Sequence, residues 1–306
     1  MNNGYLKSKD NIKNIMFKTI LALIPLIIAG FYKNGLKLYL NGYVSFYEMF
    51  KPLIFALIGF LIGIIVNIIY STLIKKELKA KEACASSFHP LYGLLIASII
   101  SINTKVWLFT IITFISLLVS KFIKKDKINI IALVSLVIIF LTKMIYGFTF
   151  LNVYEQSNTL NLVALDYLIG RGSGGINTTH VLLLALSLII LCSIKTYKKD
   201  IAITSIIVYS ACMIIYCIFT SQIGLILNNI FANGILFSFV FVGTDSLTSS
   251  YTSKGKIVYS TIMGISSFGL FLVYPPLSAL GGIIIASISH QTIDRIVLKK
   301  MVKKDK

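Results

Sequence analysis

Eight stretches of this chain are apolar for long enough to cross a lipid bilayer: residues 15–32, 49–74, 105–123, 128–147, 178–195, 200–220, 257–274 and 276–297. A spanning helix needs about 20 mostly apolar residues, and little of a 306-residue chain is left over once these runs are set aside. What remains cannot supply a soluble surface. Only 13% of residues are charged, 57% are hydrophobic and the mean hydropathy is +0.87, against about 25% charged in an ordinary soluble domain. A soluble enzyme, a secreted disulfide scaffold and a disordered chain are all excluded. The fold class is an all-α polytopic membrane protein.

Two further segments are weaker. Residues 88–103 are short, with Pro90 and Gly93 near their start, and residues 222–243 are interrupted by Asn228, Asn229, Asn233 and Gly234. Counting both gives ten segments and places both termini on one side. Of the 29 basic residues, 22 then fall on the terminal side and 6 opposite (Lys33, Lys37, Lys51, Lys105, Lys143 and Arg171), while Lys18 lies inside the first span. Basic loops stay in the cytoplasm, so the split predicts a multi-pass protein of the cell membrane with both termini cytoplasmic. The same rule accounts for the net charge of +18 without nucleic acid as a partner. The first run lacks a small-residue cleavage site and is followed by further spans, so it reads as permanent. Cys84, Cys192, Cys212 and Cys217 form no CxxC pair and read as free, buried thiols.

The ten segments divide into two blocks of five with opposite orientation. The third contains YGLLIAS (92–98) and the eighth NGILFSF (233–239), each a weak helix with glycine near its start. The expected organisation is a cytoplasmic N-terminus (1–14), a first five-helix repeat (15–147), an extracytoplasmic loop (148–177), a second five-helix repeat (178–297) and a basic tail (298–306). Interrupted helices in matching positions of inverted repeats mark a central binding site.

Polar clusters at membrane depth are costly and therefore candidate functional sites. Residues 243–256, GTDSLTSSYTSKGK, place Asp245 at the end of the broken eighth segment, with Thr248 and Thr252 following. Hydroxyls and amides in such a turn can hold a phosphate or the edge of a heterocycle; ordinary Ser/Thr loop capping is the alternative reading. A second cluster, GRGSGG (170–175), leads into Asn177, Thr178, Thr179 and His180 at the start of the sixth span. A new helix there offers free N–H groups that suit an anion, though the motif is neither a Walker loop nor a GxGxxG after a strand. His180 reads as a capping or interfacial residue, and Asp166 with Arg171 as a surface ion pair. No catalytic triad and no metal-spaced His/Cys set is present.

Taken in order, these clusters resemble the RnfD/NqrB family, membrane subunits of flavin-containing ion-pumping redox complexes. The strongest likeness is TDSLTSSYTSKGK (244–256), similar to the family's TDPVT-x-x-x-T-x-x-G-[K/R] signature with Ser246 in place of Pro. Tyr274-Pro275 and Ile293-Asp294 look like its GGYP and LID elements. GSGG (172–175) resembles its GSxGE turn, with Ile176 replacing the acid, and Tyr92-Gly93-Leu94-Leu95 resembles its TGLLLA segment. The opening from Tyr5 to Gly30, with Pro25 in the first span, looks like its SPY…VPG start.

The resemblance implies a ten-helix inverted-repeat subunit, with broken third and eighth helices, that carries electrons through bound FMN and also riboflavin. Its partners would be the other membrane and flavin or iron–sulfur subunits of an Rnf-type complex. The family attaches FMN through a phosphoester to Thr in an SGAT-type motif; the matching position is Thr159, in Gln-Ser-Asn-Thr. The turn residues Gly172, Ser173 and Gly175 would lie beside it, and Asp245, Thr248 and Thr252 would order a second flavin or the broken-helix core. Asn158 replaces the motif's Ala, the upstream Asp is missing, and KKDKINIIAL (124–133) stands where the family has NPFNPA. Covalent attachment is thus left open. So is the other functional class, an inverted-repeat transporter or channel for a small solute.

Overall fold

A computed structural model describes residues 12–74, 84, 87–122, 127–147, 150 and 164–304. All regular structure among them is helical. The elements are α1 (Ile12–Leu40), α2 (Lys51–Ile74), α3 (His89–Ile99), α4 (Val106–Phe122), α5 (Ile130–Tyr146), α6 (Val181–Cys192), α7 (Lys199–Phe219), the bent pair α8 (Ile223–Phe231 and Ile235–Val242), α9 (Ser253–Val273) and α10 (Ser278–Lys304). Helices α1, α2, α7 and α9 are long and apolar enough to span a bilayer singly, and α8 makes a fifth when its two halves, bent by 45°, count as one span.

The outward faces confirm the solvent. Leu57, Leu61 and Ile65 on α2 and Ile111, Ile115 and Val119 on α4 are exposed at four-residue intervals, one stripe per helix. Such stripes suit lipid and no aqueous surface. Of the cysteines, Cys217 is buried but Cys192 lies on the exposed face, and all four thiols are free. Lys143, at the end of α5, sits with its ammonium 3.8 Å from the centroid of the Tyr274 ring.

Inside the bundle, small residues let backbones touch. Lipid gives no hydrophobic drive for helix association, so close packing must supply it. Gly59 and Gly63 form a GxxxG pair on α2, and a Cβ on either would overlap α3 backbone at Gly93 or at His89–Pro90. Gly282 of α10 lies against Ser267 of α9 in the same manner.

The segments that looked weak in sequence are the ones that break. After α3 the chain is extended at Ile100, and its carbonyls are taken by another segment: Ile176 N–H donates to Ile100 O at 3.0 Å and Asn177 N–H to Ser98 O at 3.0 Å. The break in α8 joins the same segment, with Asn233 N–H donating to Ser173 O at 2.8 Å. Asn233 and Gly234 both have positive φ, 58° and 68°, a conformation that Asn and Gly tolerate best. The end of α3 (98–101) and the unwound stretches 172–178 and 232–234 therefore satisfy one another's backbone, as non-helical chain at membrane depth must.

Two features differ from the sequence expectation. The first helix does not stop at residue 32 but continues to Leu40 through a π-helical turn at Tyr32–Leu36. Lys33 and Asn34 in that turn are buried against 172–179, which makes room for polar side chains that a bilayer would reject. The glycines of YGLLIAS and NGILFSF also play different parts: Gly93 lies within α3 against Gly59, whereas Gly234 opens the second half of α8.

Candidate functional site

Polar side chains gather at two ends of the bundle. At the end rich in lysine, the π-helical last turn of α8 delivers the chain to Asp245. The Tyr92 hydroxyl on α3 donates to Asp245 Oδ1 at 3.0 Å, and the Thr248 hydroxyl to Oδ2 at 2.9 Å. Asn129 locks this arrangement from the N-terminus of α5. Its Oδ1 caps the Ala132 N–H at 3.0 Å, while its amide donates to Val242 O at 2.9 Å and Thr248 Oγ1 at 3.0 Å. Burial pushes the Asp245 carboxyl above the usual carboxylate range, against the pull of the Thr248 and Tyr92 hydroxyls.

Asp245 and Tyr92 form part of the wall of two cavities. One, of about 310 Å³, is lined by His89, Ser120, Lys127, Ile130, Leu133 and Thr248 among others; a smaller one of about 60 Å³ includes Thr19, Tyr197 and Thr244. The larger is at the lower bound of small-molecule sites, mostly apolar with a few convergent polar groups. Its far wall carries a relay that the sequence did not reveal. Ser87 Oγ donates to Asn67 Oδ1 at 2.6 Å and lies 2.9 Å from His89 Nδ1, while His89 Nε2 lies 3.1 Å from Ser120 Oγ.

Thr252 is not in this wall. Its hydroxyl donates to Asp294 Oδ1 at 2.7 Å and accepts the Gly255 N–H at 3.2 Å, so it is the N-cap of α9. Asp294, on α10, also accepts the Ser250 hydroxyl and the N–H groups of Tyr251 and Thr252. Lys198 fastens the same loop from the α6–α7 connection. Its ammonium donates to Ser249 O at 2.8 Å and Ser249 Oγ at 2.7 Å, and lies 3.9 Å from the Tyr251 ring centroid. Burial holds its pKa down to about 8, with Asp245 opposing and Lys256 assisting.

At the opposite end, the 172–180 turn is tied by its carbonyls. Gly172 O accepts the Lys33 ammonium at 2.6 Å, and Ser173 O accepts the Asn233 N–H. Gly175 lies so close to Ile99 O that no Cβ fits. His180 occupies the N-cap position of α6, as expected, but its side chain makes no capping bond. Arg171 pairs with Asp166, as the sequence suggested. Thr159 lies outside the described residues.

The structure thus brings Asp245 and Thr248 together, as the sequence grouped them, and adds Tyr92 and Asn129 as their partners and Lys33 and Lys198 as buried lysines, none of which the sequence singled out for these positions. A signal existed for Lys33: a lysine directly after an apolar run, with no acid within ten residues on either side. Among the described residues no group of three His, Cys, Asp or Glu side chains could hold a metal.

A search of curated proteins finds no match to this chain. The model of the NQR2, RnfD, RnfE family, in contrast, matches residues 1–303. With all but the last three residues covered, its apolar helices exposed and its broken segments meeting at one point, the chain belongs to the NQR2, RnfD, RnfE family and is a multi-pass membrane subunit of an Rnf/Nqr-type complex.

Proposed function

We propose that this subunit carries electrons through bound flavin within an ion-translocating redox complex, with both termini cytoplasmic. The observation that carries the reading is the 244–256 loop: the stretch most like the family's signature supplies Asp245 and Thr248 to the wall of a 310 Å³ cavity. A flavin supplies the redox chemistry, and the protein supplies position and electrostatics. Asp245, Thr248 and the Tyr92 hydroxyl would meet the polar edge of a non-covalent flavin such as riboflavin. Ile130 and Leu133 would pack its ring, and Thr252 would act from behind by fixing the loop on Asp294.

A second flavin, FMN esterified to Thr159, would sit at the opposite end near Gly172, Ser173 and Gly175. In this arrangement the two cofactors are held at opposite membrane faces, which suits electron passage across the bilayer. The partners would be the remaining membrane and flavin or iron–sulfur subunits of the complex.

In-gel ultraviolet fluorescence of the denatured protein, co-expressed with a flavin transferase, tests the covalent site. A fluorescent band in wild type that is absent in Thr159→Ala is expected. Acid extraction of the purified native protein tests the other cofactor. A dark gel together with a flavin-free extract would overturn the reading in favour of solute transport, which uptake by reconstituted protein without partner subunits would then measure.

A further inference from the structure

A lysine buried in a membrane protein is expected to have a carboxylate beside it. Lys33 has none among the described residues. It is 3% exposed, and its ammonium donates to two neutral acceptors, Gly172 O at 2.6 Å and Thr179 Oγ1 at 3.0 Å. An ammonium has three donors, so one is left over. The acid closest in sequence to this turn, Asp166, is engaged by Arg171.

The group that Lys33 grips through Thr179 is the entry to α6. The first N–H groups of a helix have no partner within it and carry a partial positive charge. In α6, twelve residues long, the residue at the cap position is His180, whose side chain makes no capping bond. His180 is 8% exposed. The carbonyls of Ala29 and Ile169 face its ring, yet Nε2 has no hydrogen-bond partner among the described residues. Next to it, Asn177 donates to Ser98 Oγ and Asn34 donates to Ile176 O. Those bonds hold the turn in place and bring no negative charge.

A buried ammonium, an uncapped helix N-terminus and an unpartnered imidazole nitrogen thus converge where the described residues supply no anionic partner. We propose that Lys33, Thr179, His180 and the first N–H groups of α6 form a binding site for a phosphate-class anion. Helix N-termini are suited to such groups by geometry and dipole together, and Lys33 provides the full charge that the dipole lacks. The site stands on these residues alone. It draws on the flavin reading only for one of two sources of the anion: the phosphoester of a flavin held in the preceding loop, or free phosphate.

The test uses full-length protein in detergent, produced without a flavin transferase. It is titrated with inorganic phosphate against chloride at matched ionic strength, with thermal melting as the readout. A saturable rise in Tm of roughly 3 °C or more with phosphate alone is expected. Lys33→Met should abolish the rise and Lys33→Arg should keep it. If Lys33→Met does not fold, Thr179→Val with Lys33→Arg carries the comparison, with a weakened response expected in the first only. No saturable phosphate effect in wild type, or an equal effect in Lys33→Met, overturns the site. Repeating the titration on flavinylated protein separates the sources. A response that vanishes assigns the site to the flavin phosphate, and one that persists assigns it to free anion. Protein that never takes up flavin but responds to phosphate would sink the flavin reading while upholding this one.

Discussion

The two polar ends of the bundle are built from different parts of the residue. At the 172–178 crossing, backbone meets backbone: Ile176 and Asn177 pair with Ile100 and Ser98, Asn233 pairs with Ser173, and Gly175 and Gly234 leave the space that makes this possible. At the lysine-rich end, side chains do the joining, through Tyr92–Asp245–Thr248–Asn129 and Asp294 with Ser250 and Thr252. A backbone crossing has no adjustable atoms, whereas a side-chain network can lose one member and keep the rest. The first end should fail all at once and the second by degrees.

The largest effect is expected at the crossing. Gly175→Ala would drive a Cβ into Ile99 O, and that carbonyl, at the end of α3, cannot move without pulling Ile100 and Ser98 away from Ile176 and Asn177. Loss of the monodisperse peak in size-exclusion chromatography is the expected outcome. Gly224→Ala, which meets no atom within 4 Å, is the control and should elute as wild type. If Gly175→Ala behaves like that control, the contrast between the ends is wrong.

Asn129→Ala comes next. Asn129 is fully buried and serves as a helix cap and a double donor, so its loss should cost about 2–3 kcal/mol, visible as a lower Tm with the protein still folded. Asp294→Asn should cost less, about 1 kcal/mol, because the amide oxygen can keep the three donors on Oδ1 while the Tyr251 N–H on Oδ2 alone goes unmet.

A pH series distinguishes charge from shape at Lys198. Its folded pKa of about 8 lies below the 10.5 of an open lysine, so the unfolded chain binds more protons between those values. Native stability should therefore rise with pH across that window, by at most about 1.4 kcal/mol per pH unit. Lys198→Met has no such group, and its Tm relative to wild type should fall as pH goes from 7.5 to 9.5. Parallel melting curves for the two proteins would show that Lys198 fastens the loop without titrating.

The sequence made the lysine-rich end partly legible and the other end hardly at all. Asp245 and Thr248 stood out because an acid and hydroxyls at the edge of an apolar run are conspicuous, and the family's signature lies there. Tyr92 did not, because a tyrosine in an apolar segment looks like core until its hydroxyl is seen against a residue 153 positions away. The glycines of 172–175 fitted two readings, since close approach to an anion and close approach to another backbone ask for the same residue. Lys33 was hidden for a third reason. Counting lysines for topology treats each as a loop residue, and a π-helical turn carried this one inside. Helix boundaries fared better, because apolar runs end where charges or glycines begin.

The pairing of Ser98 and Ile100 with Asn177 and Ile176 also has a bearing on biogenesis. α3 is eleven residues long, too short to cross a bilayer unaided. The donors that satisfy its trailing carbonyls are made some 76 residues later in synthesis, after two more helices have emerged. During that interval those carbonyls cannot face lipid without a large penalty. The nascent first half must therefore wait in a hydrated or escorted state until residues 172–178 arrive. The first five helices are thus not a unit that inserts and matures alone, and the ribosome's timetable is written into two backbone hydrogen bonds.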